Sequence, residues 1–250
     1  MRTEKEYSKA IRFKDAGLNN CQISKALNIP RTTINGWIKF KPNFEKTDNC
    51  TFNPENYIVE NNLQNTYSYI LGQYLGDGYI NKMKNKKTYR LRIFNTVEYK
   101  SLNKFIINQL QILFPKNKIG YTDFKTYLSI HVYSNKLIPF LFPQDGKGKK
   151  HKRKIYLHDW QKNIISDKYL LMGLFHSDGC YYYRKNKNKI YSAYDFRNES
   201  DDIHKIFQNC CNNLNINYTF ALNPKRTHIY KKNDVNKLLD LVGTKKEIKA

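Results

Sequence analysis

ILGQYLGDG (residues 70–78) and LMGLFHSDG (residues 171–179) are the stretches on which the reading of this chain turns. Gly72 pairs with Gly173, Asp77 with Asp178 and Gly78 with Gly179, each at an offset of 101 positions. The same offset returns downstream, where NKLIPFL (135–141) matches NKLLDLV (236–242). An offset kept at both ends of a segment marks a duplicated unit.

Outward from these stretches the pattern is the same twice. A helix over 66–77 is followed by strands 79–83 and 88–95, a helix 97–114, strands 118–123 and 127–133, and a helix 134–142. The second copy reads as helix 167–178, strands 180–186 and 190–197, helix 200–214, strands 216–222 and 226–231, and helix 233–242. Alternating β-branched and aromatic residues mark the strands, as in TYRLRIF (88–94) and KIYSAYDF (189–196). Leu102, Phe105, Ile106, Leu110 and Leu113 share one helical face. Each copy is αββαββα.

The repeated stretch has a physical logic. Gly72 and Gly76, and Gly173 and Ser177, are small residues four apart, so each helix has a flat face. Two such helices can pack unusually close, which sets Asp77 beside Asp178 at their C-terminal ends. Gly78 and Gly179 are expected in left-handed backbone, ending each helix. Acids are unfavourable at a helix C-terminus, where the dipole is negative, so two at matched positions point to function. Neighbouring carboxylates repel, and a divalent cation such as Mg²⁺ (or Mn²⁺) keeps both ionised.

Both stretches match the LAGLIDADG pattern, and the chain resembles the two-motif homing endonucleases of that family. GKGKKHKRKIYLHDWQ (146–161), YDFRNESDDI (194–203) and LVGTK (241–245) are similar to a bacterial branch that carries an N-terminal helix-turn-helix. The resemblance implies an α+β fold: two pseudo-symmetric αββαββα units forming a DNA-binding saddle, plus a small all-α module. It implies metal-dependent hydrolysis of double-stranded DNA at a long, rare site, with one motif Asp per strand and short 3′ overhangs. Asp77 and Asp178 are the expected metal ligands, with Gly76 and Ser177 beside them. The family places a lysine near each scissile phosphate, after the last helix of each unit. Lys154 best matches that position in the first unit and Lys152 is second; Lys245 and Lys246 are the candidates in the second. Lys149, Lys150 and Arg153 are expected on phosphates, and Asn95 and Asn198 are candidates for positioning water.

The organisation expected is a helix-turn-helix over 1–40, a linker over 41–65, a first unit over 66–145, a basic connector over 146–166 and a second unit over 167–250. In the N-terminal module the second and third helices are expected at 21–28 and 31–39. Ile23, Leu27, Ile34 and Ile38 would pack across a turn marked by Ile29–Pro30, with Asn28 in place of the usual turn glycine, and Arg31, Thr32, Thr33 and Asn35 would face DNA.

Composition fits these readings. Lys and Arg number 44 against 21 acids, a net charge of +23, and such an excess favours a polyanionic partner. The five cysteines, Cys21, Cys50, Cys180, Cys210 and Cys211, form no CxxC pair and are read as reduced, mostly buried thiols. With no signal peptide and no membrane-length apolar run, the expectation is a monomer in the cytoplasm or host interior, acting on double-stranded DNA away from membranes. Two rival readings remain: a non-cleaving DNA-binding regulator on the same scaffold, and an RNA maturase. The retained acids speak against the first. A helix that reads the major groove speaks against the second, since that groove is too narrow in A-form RNA.

Overall fold

The computed structural model describes residues 4–40, 52–186 and 189–248. The chain divides between residues 51 and 52 into two compact units. The first holds α1 (Glu4–Asp15), α2 (Asn20–Leu27) and α3 (Arg31–Lys39). Asn19 starts α2 with a capping box: its side chain accepts from the Cys21 and Gln22 amides, and Gln22 Oε1 accepts from the Asn19 amide at 2.8 Å. Such a cap contributes about 1 kcal/mol. The helix stops at Asn28, in left-handed backbone at φ 52°, as expected of a turn asparagine. Ala10, Ile23, Ile29, Ile34 and Trp37 form its core, with Leu27 and Ile38 packed against them.

The second unit begins earlier than the sequence pattern suggests. The 41–65 linker reading meets α4 (Pro54–Glu60) and the start of α5 (Gln64–Leu75), while residues 41–51 lie outside the described residues. Asn53 caps α4 and Pro54 occupies its first turn, so this proline starts a helix within the stretch read as linker. There follow β1 (Gly78–Lys82), β2 (Tyr89–Thr96), α6 (Lys100–Leu113), β3 (Ile119–Asp123), β4 (Tyr127–Ser134) and α7 (Leu137–Leu141). The 146–166 connector is likewise partly ordered, with a 3₁₀ turn (Lys150–Lys152) and α8 (Asp159–Ile164). Its Gln161 is fully buried and donates to Tyr67 Oη at 2.6 Å. The second repeat comprises α9 (Asp167–Asp178), β5 (Gly179–Asn186), β6 (Lys189–Arg197), α10 (Asp201–Asn213), β7 (Thr219–Leu222), β8 (Lys225–Ile229) and α11 (Lys232–Val242).

The strands form two antiparallel sheets of matched topology, β1-β2-β4-β3 and β5-β6-β8-β7. Alternation sends Leu91, Ile93, Ile130 and Val132 of the first sheet, and Tyr194, Phe196 and Ile229 of the second, into one shared core. The intervening residues, Arg90, Arg92 and His131 in one sheet and Asp195, Arg197 and His228 in the other, stand on the opposite faces. The cysteines depart from the reading as mostly buried: Cys210 and Cys211 are buried, Cys21 and Cys180 are exposed, and Cys50 lies outside the described residues.

The core centres on α5 and α9, buried over residues 67–75 and 170–177. A methyl group on Gly173 would lie 2.2 Å from the Tyr69 carbonyl oxygen, and one on Gly72 would lie 2.6 Å from that of Leu170. The two backbones therefore touch where the glycines meet. Gly78 and Gly179 are not left-handed, contrary to expectation; Gly179 is extended at φ −87°. They are glycine because a Cβ would enter the preceding helix turn, 2.7 Å from the Tyr74 carbonyl oxygen and 2.5 Å from that of Phe175. Gly173→Ala should destabilise the larger unit by about 3 kcal/mol or more, because the obstructing atoms are backbone. Gly36→Ala, where a Cβ meets nothing within 4 Å, should stabilise the N-terminal unit by about 0.5–1 kcal/mol. Thermal unfolding of the two variants checks both.

Candidate active site

Gly76-Asp77 directly follows α5 and Ser177-Asp178 closes α9, so Asp77 and Asp178, 101 positions apart in sequence, share one cleft. A Cβ on Gly76 would lie 2.9 Å from Asp178 Oδ2 and closer still to the Ser177 side chain. Gly76 is thus the gap through which the second carboxylate reaches the first helix end. Burial pushes both carboxyls up from the ordinary range, and Asp178 rises to about 6 because Asp77 repels it as well.

Two lysines answer these acids. Lys150 Nζ donates to the carbonyl oxygens of Leu75 (2.9 Å) and Gly76 (2.8 Å) and also contacts that of Tyr74. Lys245 Nζ donates to the Ser177 carbonyl oxygen at 2.6 Å. Burial lowers both ammonium pKa values, Lys150 to about 8, and the two aspartates act in the opposite sense. Each lysine follows a left-handed glycine by two residues: Gly148 at φ 85° and Gly243 at φ 67°. Gly-Lys-Lys (148–150) and Gly-Thr-Lys (243–245) thus share the same Gly-x-Lys spacing.

These positions revise the lysine reading. Lys150, expected on phosphate, sits beside the acids. Lys154 instead lines a separate cleft with Tyr156 and Lys205, and Lys152 is exposed. The reason is that the next residue, Ile155, is buried, with its amide held by Asp202 Oδ2 at 2.9 Å. The signal that finds Lys150 is the shared Gly-x-Lys, hidden because the two lysines are 95 rather than 101 positions apart. Lys246 is exposed, as is Lys149 on the cleft rim. Arg153, also expected on phosphate, instead braces the loop by donating to the Gln144 carbonyl oxygen at 2.5 Å.

The asparagines divide. Asn198 Nδ2 donates to Asp178 Oδ2 at 2.7 Å, and its Oδ1 accepts from the Ser200 amide. Asn95 donates to Asn103 Oδ1 at 3.0 Å instead, so it braces its own loop. In the N-terminal unit Arg31 and Thr32 are exposed and Thr33 and Asn35 half-buried, with Asn35 Oδ1 accepting from Asn20 Nδ2 at 2.7 Å.

Among the described residues no group of three His, Cys, Asp or Glu side chains could hold a metal. The donor set is of another kind: two carboxylates and the main-chain carbonyls of Gly76 and Ser177, all hard oxygens. In this structure the Lys150 and Lys245 ammonium groups sit on those two carbonyls. Oxygen-only sites with few protein ligands suit Mg²⁺, which keeps part of its water shell.

Burial of Asp178 has a stability consequence. Its folded pKa, about 6, lies above the ordinary unfolded carboxyl value, so its contribution is favourable at low pH and is lost as pH rises through 6. Asp178→Asn should therefore stabilise the metal-free protein at pH 8 by about 2–3 kcal/mol, the gap closing below about pH 4. Unfolding curves across that range check the sign.

No family model matches the chain, and no curated relative matches it. Solved structures do. Residues making up 73% of this chain superpose on 95% of a variant of I-DmoI in complex with its target DNA and Mn, at 19% identity and a TM-score of 0.51. A second I-DmoI variant with target DNA and Mg gives 19% identity, 73% and 97% coverage and the same TM-score of 0.51. I-DmoI in complex with DNA and Mn gives 19%, 72%, 97% and 0.51. No helix among the described residues is long and apolar enough to cross a membrane. With its paired αββαββα repeats, its two four-stranded sheets and its central helix pair, the chain has the two-unit LAGLIDADG homing-endonuclease fold.

Proposed function

We propose that this protein is a metal-dependent, site-specific endonuclease that cuts both strands of duplex DNA as a single chain. The observation that carries the reading is the convergence of Asp77, Asp178, Lys150 and Lys245 on the ends of two helices that touch. A purely structural interface has no use for two buried acids where the helix dipole already disfavours them. The I-DmoI structures of this fold contain target DNA with Mn or Mg, which supports the same partner and cofactor class here.

Asp77 and Asp178, with the Gly76 and Ser177 carbonyls, would hold Mg²⁺ or Mn²⁺. A divalent cation held there would supply positive charge at the scissile phosphate and would keep both carboxylates ionised. Asn198 orients Asp178 by its hydrogen bond and favours the ionised form. Lys150 and Lys245 bring one positive charge to each side of the cleft, where a phosphate oxyanion gains charge in the transition state. Lys147 and Lys149 on the rim would pair with flanking phosphates. The N-terminal unit would add contacts through Arg31, Thr32, Thr33 and Asn35 on α3.

The test is cleavage of supercoiled plasmids carrying a randomised target library, with Mg²⁺ and with EDTA. Wild type should give linear product only with metal. Asp77→Asn and Asp178→Asn should leave at most nicked circles, and Lys150→Met and Lys245→Met should each slow cutting by about 10²-fold or more. Tight binding with no cutting in any lane would make the protein a regulator on a nuclease scaffold.

A further inference from the structure

The two sheets are duplicates in register but opposite in charge at their centres. In the first sheet Tyr79, Arg92 and His131 are cross-strand neighbours. In the second, the same row is Cys180, Asp195 and His228. The histidine is kept, but Asp195 stands where the first sheet has Arg92. In the adjoining row Arg197 and Arg226 replace Phe94 and Ser129.

Asp195 is only 2% exposed although it lies on the sheet face turned away from the core. Its neighbours cover it. Oδ2 accepts from Arg226 Nη1 at 3.1 Å and Arg197 Nη2 at 3.3 Å. Oδ1 accepts from Tyr182 Oη at 3.1 Å and from His228 Nδ1. His228 Nε2 in turn accepts from Arg184 Nη1 at 3.1 Å, which fixes the Nδ1–H tautomer. A carboxylate has about four acceptor positions, so this one is saturated and has none left for a ligand.

The arginines are not saturated. Arg197 is 61% and Arg226 32% exposed, and each spends one of its donors on Asp195. The two are directly opposed across the strands, an arrangement that like charges would otherwise drive apart. The buried acid between them offsets that repulsion and tethers one side of each guanidinium, leaving the remaining donors of both free to meet DNA. A fixed fork matches the N7 and O6 acceptors of guanine in the major groove.

We propose that Asp195 is a positioning residue for sequence recognition, holding Arg197 and Arg226 as the pair that selects guanine in the half-site under the second sheet. The proposal rests on the DNA-binding part of the reading above. Among the described residues no acid pairs with Arg92 of the first sheet, which lies over the Tyr79 and Phe94 rings at 5.0 and 5.4 Å. The two half-sites are therefore unlike, and the target is not a palindrome.

The experiment is selection of bound duplexes from a randomised DNA library by the full chain, read by sequencing, together with cleavage of the selected sites. Wild type should enrich guanine at one or two positions of one half-site. Asp195→Asn keeps the volume but turns an amide toward the arginines, and should lose that enrichment by about tenfold while the other half-site is unchanged. Arg226→Gln and Arg197→Gln, at more exposed positions, should lose the same positions and serve if the Asp195 variant fails to fold. An unchanged profile in these variants, or a loss spread evenly over both half-sites, overturns the proposal. Selection without cleavage overturns the endonuclease reading instead, and cleavage without guanine dependence overturns only the role given to Asp195.

Discussion

Backbone contact between α5 and α9 is the constraint on which the rest depends. Gly72 and Gly173 leave no side chain between the helices, and the gap is closed by main-chain atoms. Gln73 Nε2 crosses the seam to the Gly173 carbonyl oxygen at 3.1 Å. Tyr69 Oη meets Nδ1 of the buried His176, whose Nε2 meets the Val242 carbonyl oxygen at 3.0 Å, so the seam is tied to the last helix. Burial pushes the His176 ring down to about 4, so near neutrality it serves as an uncharged hydrogen-bonding strut. Because the seam runs to the helix ends, it also sets the separation of the two acids.

Electrostatics at that end is a balance of unfavourable items that offset one another. Desolvation opposes ionisation of Asp77 and Asp178, and it opposes protonation of Lys150 and Lys245 as well. Each pair of like charges is tolerable because the other pair is present. The lysines also cap helix-end carbonyls that would otherwise lack partners.

The duplication is kept where packing requires it and abandoned where surfaces face outward. Sheet order, the glycines of the helix seam and the Gly-x-Lys spacing agree between repeats. The sheet centres, the asparagine partners and the length of the loop before each lysine do not. Core positions answer to a shared geometry, whereas outer positions answer only to what binds them.

The repeat, the element order and the paired acids were legible in the chain itself. A fixed offset survives duplication, and small residues at i and i+4 have few roles other than close helix packing. The helix at residues 54–60 was hidden because a proline in a polar stretch reads as a breaker unless its cap is seen. The lysine beside the acids was hidden because basic residues crowd 147–154, and choosing among them requires knowing that Ile155 enters the core. The burial of Asp195 was beyond any local pattern, since its partners come from three strands. Periodicity encodes which face a residue occupies, but contacts between residues distant in sequence, and the ionisation they enforce, exist only once the chain has folded.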